Sequence, residues 1–134
     1  MHASGIGKAL LAQMEAGRRN RLLATEELTA FTERTITDVD ALLEDLLAIR
    51  ERGYSVDDEE RNMGMRCIAA PVFDFNGEAV AGISVSGPAS RVSAAETDRL
   101  AKAVTAAARE LTLYLIQLGP CRRAIQWQSW GAGW

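Results

Sequence analysis

Two strand-like runs joined by a turn dipeptide most constrain the fold of this chain. Residues Met65 to Phe73 and Ala79 to Ser86 are rich in apolar side chains, and Asn76-Gly77 lies between them. Asn-Gly is typical of the type I′ turn, because both central residues of that turn need a positive φ angle. The sequence therefore predicts an antiparallel hairpin that turns at these residues. A further strand is predicted at Tyr54 to Asp58, where apolar and polar residues alternate.

Helical patterns precede these strands. The sequence predicts a short helix at about Lys8 to Glu15, a further one at Arg18 to Ala24, and an amphipathic helix over residues 38–52. The last of these follows a capping pattern that starts at Thr37, and it ends at Gly53. Its apolar residues recur at helical spacing: Val39, Leu42, Leu43, Leu46 and Ile49.

A long last helix is predicted at residues 94–118. Ser93 and Glu96 form a second capping pattern, and Gly119-Pro120 ends the helix. One of its faces carries four apolar residues: Leu100, Val104, Leu111 and Leu115. Residues 120–134 hold all three tryptophans without any periodicity. We predict that they are a disordered extension and not part of the domain.

The order of these elements, α-(α)-α-β-β-β-α, sets the fold class. Helices and strands do not alternate as βαβ units, so the chain is predicted to be α+β, with the helices over residues 38–52 and 94–118 packed on one antiparallel sheet. A length of 134 residues suits one domain, assigned to residues 1–119. Three strands are few for a helix-covered sheet. The domain is therefore expected to be truncated at its N-terminal side.

Composition excludes several classes of protein. Apolar residues make up 48% of the chain and charged residues 25%, which is ordinary for a globular domain. The net charge of −3 does not favour nucleic acid or an anionic membrane, so specific binding of duplex DNA by this chain is not expected. No apolar run is long enough to span a membrane. The two cysteines, Cys67 and Cys121, form no spacing motif, which favours a cytoplasmic location.

The segment Gly5-Ile6-Gly7-Lys8 has some features of a phosphate-binding loop. That loop needs a preceding strand, four residues between its glycines, and Ser or Thr after the lysine. None of these is present, so a nucleotide site is not predicted and no cofactor is expected. Two interpretations of the glycines stay open. Their N–H groups could hold a small anion at the helix start, or the glycines could allow close helix packing.

Ser84 and Ser86 lie two residues apart on a predicted strand, so their hydroxyls face the same side. They could line a polar pocket, with Ile83 and Val85 on the opposite face. The pattern alone favours the simpler alternative, in which the serines face water and only the aliphatic side is buried.

Catalysis and metal binding have weak support. Cys67 lies among apolar neighbours, which is typical of a small core residue, and a cysteine nucleophile would need a base, for which His2 is the only histidine. The run from Asp57 to Glu60 is typical of a solvated loop and lacks the alternating ligands of a calcium loop. We therefore predict no catalytic residue and no metal ligand. An enzyme that acts on a small carboxylic acid through Cys67 or Asp57 remains the alternative.

Four segments together resemble a known family. They are residues 2–12 (HASGIGKALLA), residues 52–60 (RGYSVDDEE), residues 64–74 (GMRCIAAPVFD) and residues 83–88 (ISVSGP). In order and spacing they resemble the effector-binding domain of the IclR family of bacterial transcription regulators. The resemblance covers about residues 2–118.

This resemblance implies a GAF-like domain that senses a small 2-oxo or hydroxy acid such as glyoxylate or pyruvate. It implies DNA contact only through a helix-turn-helix that this chain does not contain. A homo-oligomer is expected because missing front strands would leave a sheet edge and apolar surface uncovered. Ile6 is bulkier than the alanine common in the family and would narrow the pocket. A truncated remnant that does not sense a ligand is a further alternative. Carried over residue by residue, the resemblance places the ligand on Gly5, Ile6, Asp57, Met65, Cys67, Ser84 and Ser86.

Overall fold

The computed structural model describes residues 1–119, which form four helices and a three-stranded antiparallel sheet. The predicted α+β class is confirmed. The predicted extension at residues 120–134, which includes Cys121, lies outside the described residues. In chain order the elements are α1 (Gly5–Gln13), α2 (Ala16–Thr25), α3 (Val39–Arg52), β1 (Ser55–Asp58), β2 (Met65–Phe73), β3 (Ala79–Pro88) and α4 (Ala94–Leu118).

The sheet has the order β1-β2-β3, so β2 is its central strand. Cys67 of β2 lies opposite Asp57 of β1 and opposite Ser86 of β3. Ala69, two residues further along β2, lies opposite Ser84. Residues directly opposite each other in an antiparallel pair share a face of the sheet. The register therefore places a carboxyl group, a thiol and two hydroxyls on one face.

The predicted hairpin is confirmed, but the predicted turn type is wrong. Gly77 has a φ of 78°, whereas Asn76 does not have the positive φ that a type I′ turn requires. Asp74 determines the loop instead. Its carboxylate accepts from the N–H groups of Asn76 at 2.9 Å and Glu78 at 3.0 Å, and its carbonyl accepts from Gly77 N–H at 3.0 Å. An aspartate that bonds the following backbone offers the chain a turn of its own.

Helix α4 covers the face of the sheet opposite the serines. Val104 and Ala108 are buried against β2, and the hydroxyl of Thr112 accepts from the N–H of Phe73 at 3.1 Å. The line of contact thus advances by four residues at a time. Leu111, which was predicted on the packed face, lies beside this line and is 38% exposed. No helix within residues 1–119 is long and apolar enough to cross a membrane.

Helix α1 lies on the other face of the sheet and separates it from α3. Leu11 and Ala12 of α1 pack against Leu42, Leu46 and Ile49 of α3, all of them buried. The prediction that both long helices pack on the sheet is therefore right for α4 and wrong for α3. The apolar stripe of α3 was read correctly from its spacing, but α1 covers it instead of the sheet.

The two predicted caps differ in outcome. Ser93 caps α4 as predicted, since its hydroxyl accepts from Glu96 N–H at 3.4 Å. Helix α3 is capped by Asp38 and not by Thr37, because the Asp38 carboxylate accepts from Ala41 N–H at 3.0 Å. Aspartate and threonine both suit an N-cap, so the sequence pattern did not decide between the adjacent Thr37 and Asp38.

Alanine substitutions of a buried and an exposed leucine of α3 provide a test of this packing. Leu42 is fully buried, whereas Leu47 is 59% exposed on the same helix. We expect Leu42→Ala to lower the free energy of unfolding by about 2–5 kcal/mol, because it removes buried methyl groups and leaves a cavity. Leu47→Ala should change it by no more than about 0.5 kcal/mol. Urea unfolding followed by circular dichroism measures both, and equal losses would contradict the assignment of the buried stripe.

Candidate ligand-binding site

Helix α1 begins three residues before its predicted start at Lys8, because Ser4 caps it. The Ser4 hydroxyl accepts from Gly7 N–H at 3.2 Å. The start of α1 lies close to Cys67 of the sheet and to the Met1 backbone. A Cβ atom on Gly5 would lie 2.9 Å from the Cys67 sulfur, and one on Gly7 would lie 2.4 Å from the Met1 carbonyl oxygen. The glycines therefore do allow close packing, and they bring the helix N-terminus against the sheet.

A cavity of about 460 Å³ lies between the start of α1, the serine-bearing face of the sheet and the segment that follows β1. This volume falls in the range of roughly 300–1,000 Å³ typical of small-molecule sites. All the residues that the sequence analysis assigned to the pocket line this cavity: Gly5, Ile6, Asp57, Met65, Cys67, Ser84 and Ser86.

Several lining residues were not anticipated from the sequence. Ser4 and Gly7 belong to the predicted segment at the start of α1. Arg61, Asn62 and Arg66 lie in or beside the loop between β1 and β2, and they also line the cavity. The acidic run from Asp57 to Glu60 leads into this loop. Arg61 follows that run directly, and this adjacency was the one available signal.

The serines and Cys67 occupy the cavity side of the sheet. Ser84 and Ser86 are exposed on its open side, and Cys67 is half-buried between them and α1. Ile83, on the other face of β3, packs toward α4. The two alternatives for the serines were that they line a polar pocket or that they face water. The alternatives are compatible, because the serine hydroxyls reach solvent through the cavity.

Asp57 is buried, with 7% of its surface exposed. One of its carboxyl oxygens accepts from the N–H groups of Glu60 at 2.9 Å and Arg61 at 3.3 Å. Burial raises the pKa of Asp57 above its ordinary value, and the two backbone hydrogen bonds and the charge of Lys8 only partly offset this effect. The carboxyl group therefore holds its proton more readily than an exposed aspartate.

Lys8 points away from the cavity into a buried ion cluster. It is 1% exposed, and its ammonium donates to the carboxylates of Asp45 and Glu60 and to the carbonyl of Val56, each at 2.8 Å. All three protons of the ammonium are used, so Lys8 has none left for a phosphate group. This agrees with the rejection of a nucleotide loop on spacing grounds.

The acidic run is not the solvated loop that its composition suggested. Glu60 is 5% exposed, and burial raises the pKa of its carboxyl group. Glu59 adopts a φ of 58°, a region that non-glycine residues seldom occupy. The hydroxyls of Thr32 and Thr35 donate to the carbonyls of Glu59 and Glu60 and hold the loop in this shape. The loop beside the cavity is therefore rigidly positioned.

His2 makes no hydrogen bond to Cys67 in the described part of the chain. Its ring is buried, and Nε2 lies 2.8 Å from the carbonyl oxygen of Thr29. Within residues 1–119 no group of three or more His, Cys, Asp or Glu side chains could hold a metal ion.

Residues 1–113 match the family model described as the C-terminal domain of the bacterial transcriptional regulator IclR. The chain belongs to the IclR family. The resemblance noted from four sequence segments is thereby confirmed, and it extends over nearly all of the described residues.

The IclR-family relatives are regulators of transcription. The chain is 57% identical over 112 residues to the HTH-type transcriptional regulator BhcR of Paracoccus denitrificans, covering 84% of this chain and 40% of that protein. It is 46% identical over 113 residues to the transcriptional repressor IclR of Escherichia coli, covering 84% and 41%. The chain thus spans about two fifths of the length of these relatives.

A solved structure shows the same fold with a ligand. It is a double mutant of the inducer-binding domain of the transcription factor PobR from Acinetobacter, in complex with 3-hydroxybenzoic acid. The two structures superpose with a TM-score of 0.77 at 29% sequence identity, covering 83% of this chain and 64% of that one.

The raised pKa of Asp57 makes the stability of this IclR-family domain depend on pH. The folded chain holds the Asp57 proton more tightly than the unfolded chain, whose ordinary pKa is 3.8. This carboxyl group therefore contributes most stability below pH 3.8, and the contribution is lost as the pH rises through the folded-state pKa. Asp57→Asn removes the titration and keeps an oxygen for the N–H groups of Glu60 and Arg61.

We expect the free energy of unfolding of Asp57→Asn, minus that of the wild type, to increase as the pH is raised from 3.8 toward neutrality. Urea unfolding at a series of pH values measures the difference. Asp98→Asn, at an exposed position on α4, controls for the loss of one carboxylate. A difference between Asp57→Asn and wild type that stays constant with pH would contradict the burial effect.

Proposed function

We propose that this chain is the effector-sensing part of an IclR-type transcription regulator and that the cavity beside α1 binds a small 2-oxo or hydroxy acid, glyoxylate or pyruvate in type. The observation that carries this proposal is the convergence of hydrogen-bond donors on one cavity wall. They come from the first turn of α1 and from the β3 serines.

The first turn of α1 supplies the charge preference. Ser4 caps Gly7 N–H, while within residues 1–119 the N–H groups of Gly5 and Ile6 have no hydrogen-bond partner. Free N–H groups at a helix N-terminus, together with the helix dipole, favour an anion. A carboxylate of the effector placed there would accept from these amides and from the hydroxyls of Ser84 and Ser86.

Asp57 supplies the second polar contact. An ionised Asp57 would repel a carboxylate, but burial raises the pKa of Asp57, so it takes up a proton more readily than an exposed aspartate. The protonated carboxyl can donate to the carbonyl or hydroxyl oxygen of the effector. Ile6 and Met65 provide apolar wall beside these groups. An acid with about five heavy atoms gains at most about −7.5 kcal/mol, which corresponds to micromolar binding or weaker.

The comparisons support a binding role over the enzymatic alternative. The relatives are named as transcription regulators, and the PobR domain holds 3-hydroxybenzoic acid, an aromatic carboxylic acid, in its solved structure. Contact with DNA would then belong to a part of the regulator outside this chain, and the cytoplasmic location remains a prediction from composition.

Removing both serine hydroxyls tests the ligand assignment. We expect Ser84→Ala combined with Ser86→Ala to weaken the binding of glyoxylate or pyruvate by at least about tenfold, because hydrogen bonds to a charged group contribute about 1.5–3 kcal/mol each. Isothermal titration calorimetry with the purified chain measures the affinity. Ser90→Ala, an exposed serine outside the cavity, is the matched control and should leave binding unchanged. Equal affinity in the double variant would exclude this pocket and leave the family assignment intact.

Self-association is a separate proposal. The end of α4 exposes several large apolar side chains: Leu113, Tyr114, Ile116 and Leu118, each between 48% and 62% exposed. Apolar surface of this kind is typical of an interface between protein chains. We expect light scattering at micromolar concentration to give a mass above that of one chain. A strictly monomeric species at high concentration would contradict the proposal.

A further inference from the structure

Arg61 brings a positive charge to the cavity wall that no acidic side chain among residues 1–119 neutralises. The other arginine of this wall, Arg66, differs. Its guanidinium donates twice to the Asp58 carboxylate, at 2.9 and 2.7 Å, and once to the carbonyl of Val92. Three of the five N–H donors of Arg66 are thus used within the domain, whereas the side chain of Arg61 donates to no residue among 1–119.

Arg61 is also held in position. Its guanidinium carbon lies 4.4 Å from the centre of the Phe31 ring, and that ring stacks on His2 at 5.9 Å. At the other end of the residue, the Arg61 N–H donates to Asp57. A guanidinium that rests on an aromatic face keeps its N–H groups free at its edge. The side chain is therefore anchored without the loss of its hydrogen-bonding capacity.

The acidic residues behind the cavity do not use the charge of Arg61. The charged groups that influence the pKa of Asp57 are Lys8 and Asp58. Glu60 pairs with Lys8 at 2.8 Å, and Glu59 pairs with Arg34. An unpaired guanidinium on a cavity wall matches a carboxylate, to which it can make two parallel hydrogen bonds.

We infer that Arg61 binds a second carboxylate of the effector, so that the cavity prefers a short 2-oxo dicarboxylic acid to the monocarboxylic acid of the same chain length. This inference rests on the proposed function, in which the first carboxylate lies at the start of α1. The two anionic groups would be held by different elements, α1 with β3 on one side and the loop after β1 on the other. A cavity of about 460 Å³ has room for such an acid.

A matched pair of ligands tests the inference. 2-Oxoglutarate and 2-oxopentanoate have the same five-carbon chain and differ in the second carboxylate. We expect the 134-residue chain to bind 2-oxoglutarate at least about tenfold more tightly in calorimetry, because two charge-assisted hydrogen bonds are added. Arg61→Gln should reduce this ratio to about threefold or less and leave the affinity for 2-oxopentanoate unchanged.

Two further variants separate the possible causes. Arg61→Lys keeps the charge and should retain part of the preference, while Arg18→Gln removes one exposed charge of α2 and should retain all of it. Thermal unfolding followed by circular dichroism shows whether Arg61→Gln is folded. If Arg61→Gln is not folded, Arg61→Lys provides the test. A preference for 2-oxoglutarate over 2-oxopentanoate that is as large in Arg61→Lys as in the wild type would overturn the role of the guanidinium.

The outcomes distinguish this inference from the proposed function. If the wild type binds both acids equally and the double serine variant weakens both, the proposed function stands and the role of Arg61 is wrong. If Arg61→Gln weakens both acids to the same extent, Arg61 does not bind the second carboxylate. If the wild type binds neither these acids nor glyoxylate and pyruvate, the proposed function fails and the inference fails with it.

Discussion

The buried ammonium of Lys8 is the interaction on which the arrangement of the site depends. It joins α1 to α3 through Asp45, to β1 through the carbonyl of Val56, and to the loop after β1 through Glu60. Removing one partner of a buried ion pair leaves an uncompensated charge, which costs about 3–5 kcal/mol. The cluster therefore fixes the orientation of α1 and the position of the loop at the same time. These are two of the three walls of the cavity.

The third wall follows from the sheet register and from the close approach of α1. Because Gly5 has no Cβ, the helix start lies against Cys67 without a clash. The same register places Asp57 and Ser86 on either side of Cys67. A helix N-terminus, a buried carboxyl group and strand hydroxyls thus meet around one space. Arg61 adds a cation at its edge, held there by Phe31.

The sequence predicted the bounds of most helices and strands. It predicted less accurately the hairpin turn and the acidic loop, where side chains take over hydrogen bonds of the backbone. β2 was predicted to the residue, because its apolar run ends clearly on both sides. The hairpin was found from Asn76-Gly77, but its turn type was missed, since Asp74 captures the loop N–H groups. The acidic run was read as solvated. Its composition gave no sign that Glu60 would meet a lysine 52 positions earlier in the chain.

The sequence by itself determined the alternation along β3, and so determined that Ser84 and Ser86 share a side; it also determined the cap of α4 at Ser93. These features follow from local rules, because the side-chain period of a strand and the reach of a cap extend over only a few residues. Tertiary structure decided that α1 and not the sheet covers α3, that Lys8 is buried in an ion cluster while Arg61 has no acidic partner among residues 1–119, and that burial raises the pKa of Asp57. Each of these depends on which distant residues a side chain meets and on how far water is excluded, and both quantities exist only once the chain has folded.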